Sequence, residues 1–169
     1  IHLPPVEPTK IIAVHLNYAS RTEEFMTKLP AAPTYFHKPI TALNSHDAAV
    51  VRPERCKWLN YEGEIVIVIG RTCRNISPDE ATDYIAGYTI GNDMSSRDIE
   101  GENLLYLPQA KIYDRSCGLG PWITLVADEP AIRAWRVSIT IARGGRQVFA
   151  GETGIDQIKR TFSDLIGHL

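Results

Sequence analysis

Isoleucine and valine run almost unbroken in two places, and each run predicts a buried strand: KIIAVHLNYA at 10–19 and EGEIVIVI at 62–69. The first strand leads into a polar segment, SRTEEFMTKL, in which residues 22–24 are suited to start a short helix, and a proline-containing loop, LPAAPTYFHKP, follows. Ser77 before Pro78, with Glu80 three residues after the cap, predicts a helix over 78–85 that Gly87 ends, and YTIGND then reads as a strand. Alternation in PWITLVAD and WRVSITIARGGRQVFAG predicts further strands, with Gly144 and Gly145 turning a hairpin. GIDQIKRTFSDLIGHL places Ile158, Phe162, Leu165 and Ile166 at helical spacing and predicts a closing helix. The first ten residues hold three prolines and read as an extended lead-in. No repeat interrupts this pattern, which predicts a strand-rich α+β domain with a few short helices.

Length changes the picture little: 169 residues supply one sizeable core, so a single domain over 1–169 is expected. A net charge of −2 gives no reason to expect nucleic acid or an anionic membrane as a partner. No apolar run approaches the roughly 20 residues of a membrane helix, and IHLPPVEPTK lacks the character of a signal peptide. Cys56, Cys73 and Cys117 are odd in number and form no CxxC pair, which argues against a disulfide framework or a cysteine zinc site. A soluble, cytoplasmic protein is the expectation.

Glu62 and Glu64 raise the first chemical question. At positions i and i+2 of a strand they project to one face, with Cβ atoms about 6–7 Å apart. Two ionised carboxylates so close in a partly buried site repel, and a Lys or Arg, a shared proton or a divalent cation must compensate them. The plain alternative is a solvated strand end. Asp93 closes the next predicted strand, and if that strand lies alongside, a third carboxylate joins the same end of the sheet. All-oxygen ligation of this kind suits Mg²⁺ or Mn²⁺.

These residues also carry a resemblance. FHKP (36–39), YEGEIVIVIG (61–70), AGYTIGNDMSSRD (86–98), QAKIYDRSCGLGPWI (109–123) and GETGIDQIKRTF (151–162) occur in the order and spacing of the fumarylacetoacetate hydrolase family. The resemblance implies a mixed β-roll with short helices, generally assembled as a homodimer. It implies that Glu62, Glu64 and Asp93 hold Mg²⁺ or Mn²⁺ and that Lys111 helps hold a substrate oxygen. Arg97 and Asp98 match the family's RD dipeptide, Arg97 being a weaker candidate for substrate binding. Gln109 would face the same side as Lys111 if that segment is extended, and Lys38 is a further pocket candidate beside the plainer reading of a surface lysine.

Two departures from the family pattern bear on the chemistry. Members that hydrolyse C–C bonds resemble one another in a lid segment with a His and, three residues later, a Glu that activate water; here NYASRTEE sets Arg21 at the His position and keeps Glu24. An arginine stays protonated and is no general base, so Arg21 is expected to bind substrate and Glu24 to shuttle a proton. Members also continue past the last helix into a Gly- and Thr-rich loop and further strands, so a fragment lacking its closing segment is expected.

The resemblance implies catalysis on a small 2-oxo acid whose carboxylate and 2-oxo oxygens are chelated, with charge developing on the 2-oxo oxygen when a neighbouring bond breaks. Cleavage or decarboxylation of a β-dicarbonyl-type acid is the first expectation. Dehydration of a 2-oxo-3-deoxy sugar acid is the second, since GENLLYLPQAK resembles sugar-acid branches of the family. A non-catalytic binding or assembly module of the same fold stands as the reading from another class. His15 and His37 are expected to be structural, Trp122, Trp135 and Phe149 fall in strand patterns and are expected in the core, and Cys117 has no adjacent His to activate it.

Overall fold

Prolines 4, 5 and 8 withhold backbone donors, and residues 3–10 form no regular element. The computed structural model describes residues 3–125 and 129–169. Strand β1 (Ile11–His15) ends where Leu16 takes a φ of 59°, and α1 (Ala19–Glu24) follows. Next come β2 (Thr34–Lys38), β3 (Leu43–Ser45), β4 (Leu59–Asn60) and β5 (Gly63–Ile69). A 3-10 helix at Pro78–Tyr84 leads directly into β6 (Ile85–Asp93), followed by β7 (Ser95–Ser96) and α2 (Arg97–Glu102). After a 3-10 turn at Gln109–Lys111 come β8 (Cys117–Leu119), α3 (Glu129–Arg133), β9 (Arg136–Arg143), β10 (Arg146–Gly154) and α4 (Phe162–His168). Strands dominate and the helices are short, as the sequence predicts.

The chain divides into two units, each assembled from separated segments. The first comprises residues 1–13, 35–66 and 88–124. Its centre is β8, which pairs parallel with β3 (Leu43 opposite Cys117) and antiparallel with β6 (Asp93 opposite Cys117), in a sheet of order β3-β8-β6-β5. Phe36, Ala42, Cys56, Tyr88, Leu107, Ala110 and Leu119 are buried here. The segment around 34–38, expected as loop, is a strand: Thr34 and His37 face out while Phe36 and Lys38 are buried. Of the strand expected at 121–128, Thr124 bridges Tyr88, and residues 126–128 lie outside those described. Trp122, expected in the core, is 69% exposed.

The second unit comprises residues 14–34, 67–87 and 125–169. Gly144 and Gly145 take φ of 56° and 75°, the left-handed pair that a tight hairpin needs, and join β9 to β10 antiparallel. A register shift between Gln147 and Phe149 interrupts that ladder, and Phe149, expected in the core, is 43% exposed.

Two expected helices differ from expectation, one in type and one in where it starts. Ser77 and Glu80 form the predicted capping box, but the turn they start is 3-10 and stops at Tyr84, because β-favouring Ile85 already takes extended φ and ψ. Gly87 is therefore inside a strand and not at a helix end. In the last segment Thr161 accepts a hydrogen bond from the Asp164 N–H (3.0 Å) and the Asp164 carboxylate accepts one from the Thr161 N–H (3.3 Å), so the helix starts there and not at 154. Ile158 instead bridges Tyr18 antiparallel. Phe162, Leu165 and Ile166 are buried as their spacing predicts, each contributing about 1.5–3 kcal/mol by leaving water. No helix among the described residues is long and apolar enough to cross a membrane.

Candidate functional site

Main-chain bonds bring two of the predicted carboxylates together before their side chains meet. Glu62 stands just ahead of β5; its carbonyl accepts from the Asp93 N–H (2.8 Å), and its own N–H donates to Asn92 Oδ1 (3.2 Å). Gly91 permits close strand contact: a Cβ there would lie 2.8 Å from Val66 Cγ2 and 3.7 Å from the Glu64 Cβ. The sequence IGND thus supplies a small residue for approach, an amide for the Glu62 backbone and a carboxylate for the site.

The side chains converge on one buried ammonium. Lys111 Nζ donates to Glu62 Oε2 (2.7 Å), Asp93 Oδ2 (2.9 Å) and Ser95 Oγ (2.6 Å), and lies 5.6 Å from the centre of the Phe36 ring. The Ser95 hydroxyl, itself fully buried, is 3.1 Å from Glu62 Oε1 and 3.2 Å from the Asp93 carbonyl, either of which takes its proton. Lys38 Nζ donates to Asp93 Oδ1 (2.6 Å) and to the carbonyl of Lys111. Of the three carboxylates that the sequence singles out, Glu62 and Asp93 are compensated here by the two lysines.

Burial alone would pull the Lys111 ammonium down, but the Asp93 and Glu62 carboxylates outweigh it and hold its pKa above the ordinary lysine value. Cys117, on β8 opposite Asp93, is pushed up to about 11, first by burial and then by the Asp93 and Glu64 charges, against the opposing pull of Lys38 and Lys111. Such a thiol stays protonated near neutral pH and is no nucleophile.

The other predicted residues fall into different surroundings. Gln109 is exposed while Lys111 is buried: their segment is a 3-10 turn, which sets residues i and i+2 on different sides, so the extended geometry that would align them is not met. Arg97 pairs with the buried Glu100 at 2.6 Å. Asp98 accepts from the N–H groups of Lys57 (3.1 Å) and Trp58 (3.3 Å) and from Ser96 Oγ (2.9 Å), tying down the 56–58 segment. In the second unit Arg21 and Glu24 form an i,i+3 ion pair along α1, and the Arg21 guanidinium lies 5.2 Å over the Phe25 ring.

Among the described residues, no three of His, Cys, Asp and Glu stand as a ready-made cluster for a metal ion. Glu62 and Asp93 nonetheless turn one oxygen each toward a single cation, and with half-buried Glu64 nearby on β5 the donors are hard oxygens throughout. That donor set fits Mg²⁺ or Mn²⁺, and for such an ion to take both oxygens the Lys111 ammonium has to release at least one of them.

Sequence reasoning missed Ser95 and Asn92, and left Lys38 between a pocket residue and a surface lysine. Ser95 stands two residues after Asp93, so continued extended backbone would have put it on the same side. Lys38 stands two after Phe36, and only the neighbouring prolines disguised that alternation.

Residues 10–169 match the family model described as Fumarylacetoacetate (FAA) hydrolase C-terminal. The chain is 38% identical over 122 residues to the homoprotocatechuate catabolism bifunctional isomerase/decarboxylase of Escherichia coli, covering 72% of this chain and 28% of that protein. It is 37% identical over 138 residues to a probable 2-keto-3-deoxyxylonate dehydratase of Haloferax volcanii, covering 80% and 44%. The crystal structure of 5-carboxymethyl-2-hydroxymuconate delta-isomerase from Mycobacterium smegmatis superposes with a TM-score of 0.79 at 31% identity, over 98% of this chain and 63% of that one. The chain spans about half the length of several curated relatives it matches. On the family match and these likenesses, the chain belongs to the fumarylacetoacetate hydrolase family.

Proposed function

We propose that this chain is the catalytic part of a divalent-metal-dependent enzyme that breaks or removes a bond next to the carbonyl of a small 2-oxo acid, by C–C cleavage or decarboxylation. The convergence of Glu62, Asp93 and Lys111 on one point carries this reading. Glu62, Glu64 and Asp93 would hold Mg²⁺ or Mn²⁺, which when bound would supply Lewis-acid chemistry to the 2-oxo acid.

Lys111 does the remaining electrostatic work. An ammonium there, beside the 2-oxo oxygen, stabilises the negative charge that develops as the neighbouring bond breaks. Burial of the surrounding groups keeps that attraction from being screened by water. Glu24, which pairs with Arg21 on α1, is the proton shuttle in this reading. Arg21 is no general base, which favours decarboxylation or non-hydrolytic cleavage over attack by water.

Dehydration of a 2-oxo-3-deoxy sugar acid is the second reading. The similarity to the Haloferax protein, which covers 80% of the chain, favours it. The same developing charge on the 2-oxo oxygen serves both reactions.

Calorimetric titration with MnCl₂ and MgCl₂, then assay of substrate loss with oxaloacetate, acylpyruvates and 2-oxo-3-deoxy sugar acids, tests the proposal. Heat of binding lost in Glu64→Ala, with metal-dependent turnover of one substrate class, supports it. Absence of metal binding together with no loss of any substrate sinks it in favour of a non-catalytic module.

A further inference from the structure

Lys38 carries a charge into the interior of the first unit, where its side chain is only 2% exposed. The cause is local: β2 alternates, Phe36 faces the core, and Lys38 must follow it. A buried ammonium is tolerated only with partners, and this one has two. Its Nζ lies 2.6 Å from Asp93 Oδ1 and also donates to the carbonyl of Lys111. One group thus joins β2, the end of β6 and the 3-10 turn that ends at Lys111.

Both partners belong to the cluster. With Oδ1 held by Lys38 and Oδ2 by Lys111 at 2.9 Å, the plane of the Asp93 carboxylate is fixed from two directions. The bond to the Lys111 carbonyl fixes the backbone from which the second ammonium extends. Two of the three Lys38 protons are engaged, which leaves the buried side chain poorly placed to meet a substrate.

We infer that Lys38 is a positioning residue: it orients Asp93 so that Oδ2 joins Glu62 Oε2 at one cation point, and it anchors the turn that presents Lys111. The inference deepens the metal-dependent reading proposed above and rests on it for one of its two tests. Three roles for Lys38 predict three signs. If it only fills space, replacement by methionine leaves Mn²⁺ affinity unchanged. If it acts only by its charge, removing a cation beside the carboxylates tightens Mn²⁺ binding. If it positions Asp93, Mn²⁺ binding weakens, by about 10- to 100-fold as for other partners that orient a metal ligand.

The test is MnCl₂ titration calorimetry of the full chain and of Lys38→Met. Weakening by about tenfold or more is expected, and unchanged or tighter binding overturns the inference. Lys38→Arg is the second variant, because it keeps the charge but displaces the donors; it should also bind more weakly, and wild-type affinity in it counts against positioning. A metal-free arm separates failure of this inference from failure of the proposed function. In urea unfolding, the midpoint shift caused by Lys38→Met should shrink by about half or more in an Asp93→Asn background, since the main partner is already altered. A shift of undiminished size overturns the inference whether or not the protein binds Mn²⁺. If the parent chain gives no heat with Mn²⁺, this cycle alone decides the role of Lys38.

Discussion

The backbone N–H of Asp93 donates to the carbonyl of Glu62 over 2.8 Å, so the two carboxylates that share Lys111 are joined through their main chains as well as through an ammonium. The two acids are nonetheless unequal. Asp93 serves both buried lysines, one with each oxygen, whereas Glu62 serves Lys111 and Ser95. Asp93→Asn leaves Lys38 without a carboxylate and Lys111 with half its charge compensation. It should destabilise the metal-free protein by about 3–5 kcal/mol. Glu62→Gln leaves every ammonium with an anionic partner and should cost less, about 1–3 kcal/mol. Urea unfolding near neutral pH measures both, and the reverse ranking would show that Asp93 is not the hub.

Gly91 makes a second prediction about the same end of the sheet. Its missing Cβ is space that Val66 Cγ2 already fills to within 2.8 Å. Gly91→Ala should therefore destabilise by about 1–3 kcal/mol through overpacking. Val66→Ala vacates the space, so adding it should recover part of that loss, a non-additivity that a double-mutant cycle reads directly. Simple additivity would mean that the alanine methyl is accommodated some other way.

How far these features were legible beforehand depends on whether local chemistry or tertiary pairing decides them. β5 and β6, the Gly144-Gly145 hairpin and the Ser77 capping box follow from periodicity and turn chemistry, and they appear close to where the sequence puts them. Asp93 at the end of a strand was legible for the same reason. The conformation of 109–111 was not, because a three-residue 3-10 turn has no period to detect, and the outward placement of Gln109 follows from it. Phe149 alternates as a core residue should, yet the register shift beside it depends on β9, which no local window contains. A basic partner for Glu62 and Glu64 was one of several options from sequence, but the meeting of two lysines with Glu62 and Asp93 was not legible, since Lys38 and Lys111 arrive from segments 73 residues apart.

Thr161 and Asp164 account for the late start of α4, and that attribution can be measured. The pair satisfies donors at the head of the helix reciprocally, at 3.0 and 3.3 Å. Thr161→Ala should lower stability by about 1 kcal/mol, whereas Thr161→Asp, which retains a capping oxygen, should stay within a few tenths. Equal losses in the two variants would assign the effect to packing of the threonine methyl instead.

Asp98 supplies the pH dependence. The Lys57 N–H is the largest of the donors that stabilise its charged form; burial opposes them, and Ser96 and Trp58 add to them, with the net result that its pKa falls from 3.8 to about 2. Because the folded value lies below the unfolded one, the unfolded chain binds more protons between them, and stability rises with pH across that interval. The contribution of Asp98 is therefore complete above about pH 4 and is lost as the pH falls toward about 2. Asp98→Asn removes the titrating group while keeping an acceptor oxygen for Lys57 or Ser96. Urea midpoints of the parent and the variant, followed downward from about pH 5, should start apart and converge as the acid limit is approached. Curves that remain parallel through the interval would show that Asp98 holds the 56–58 segment without its charge.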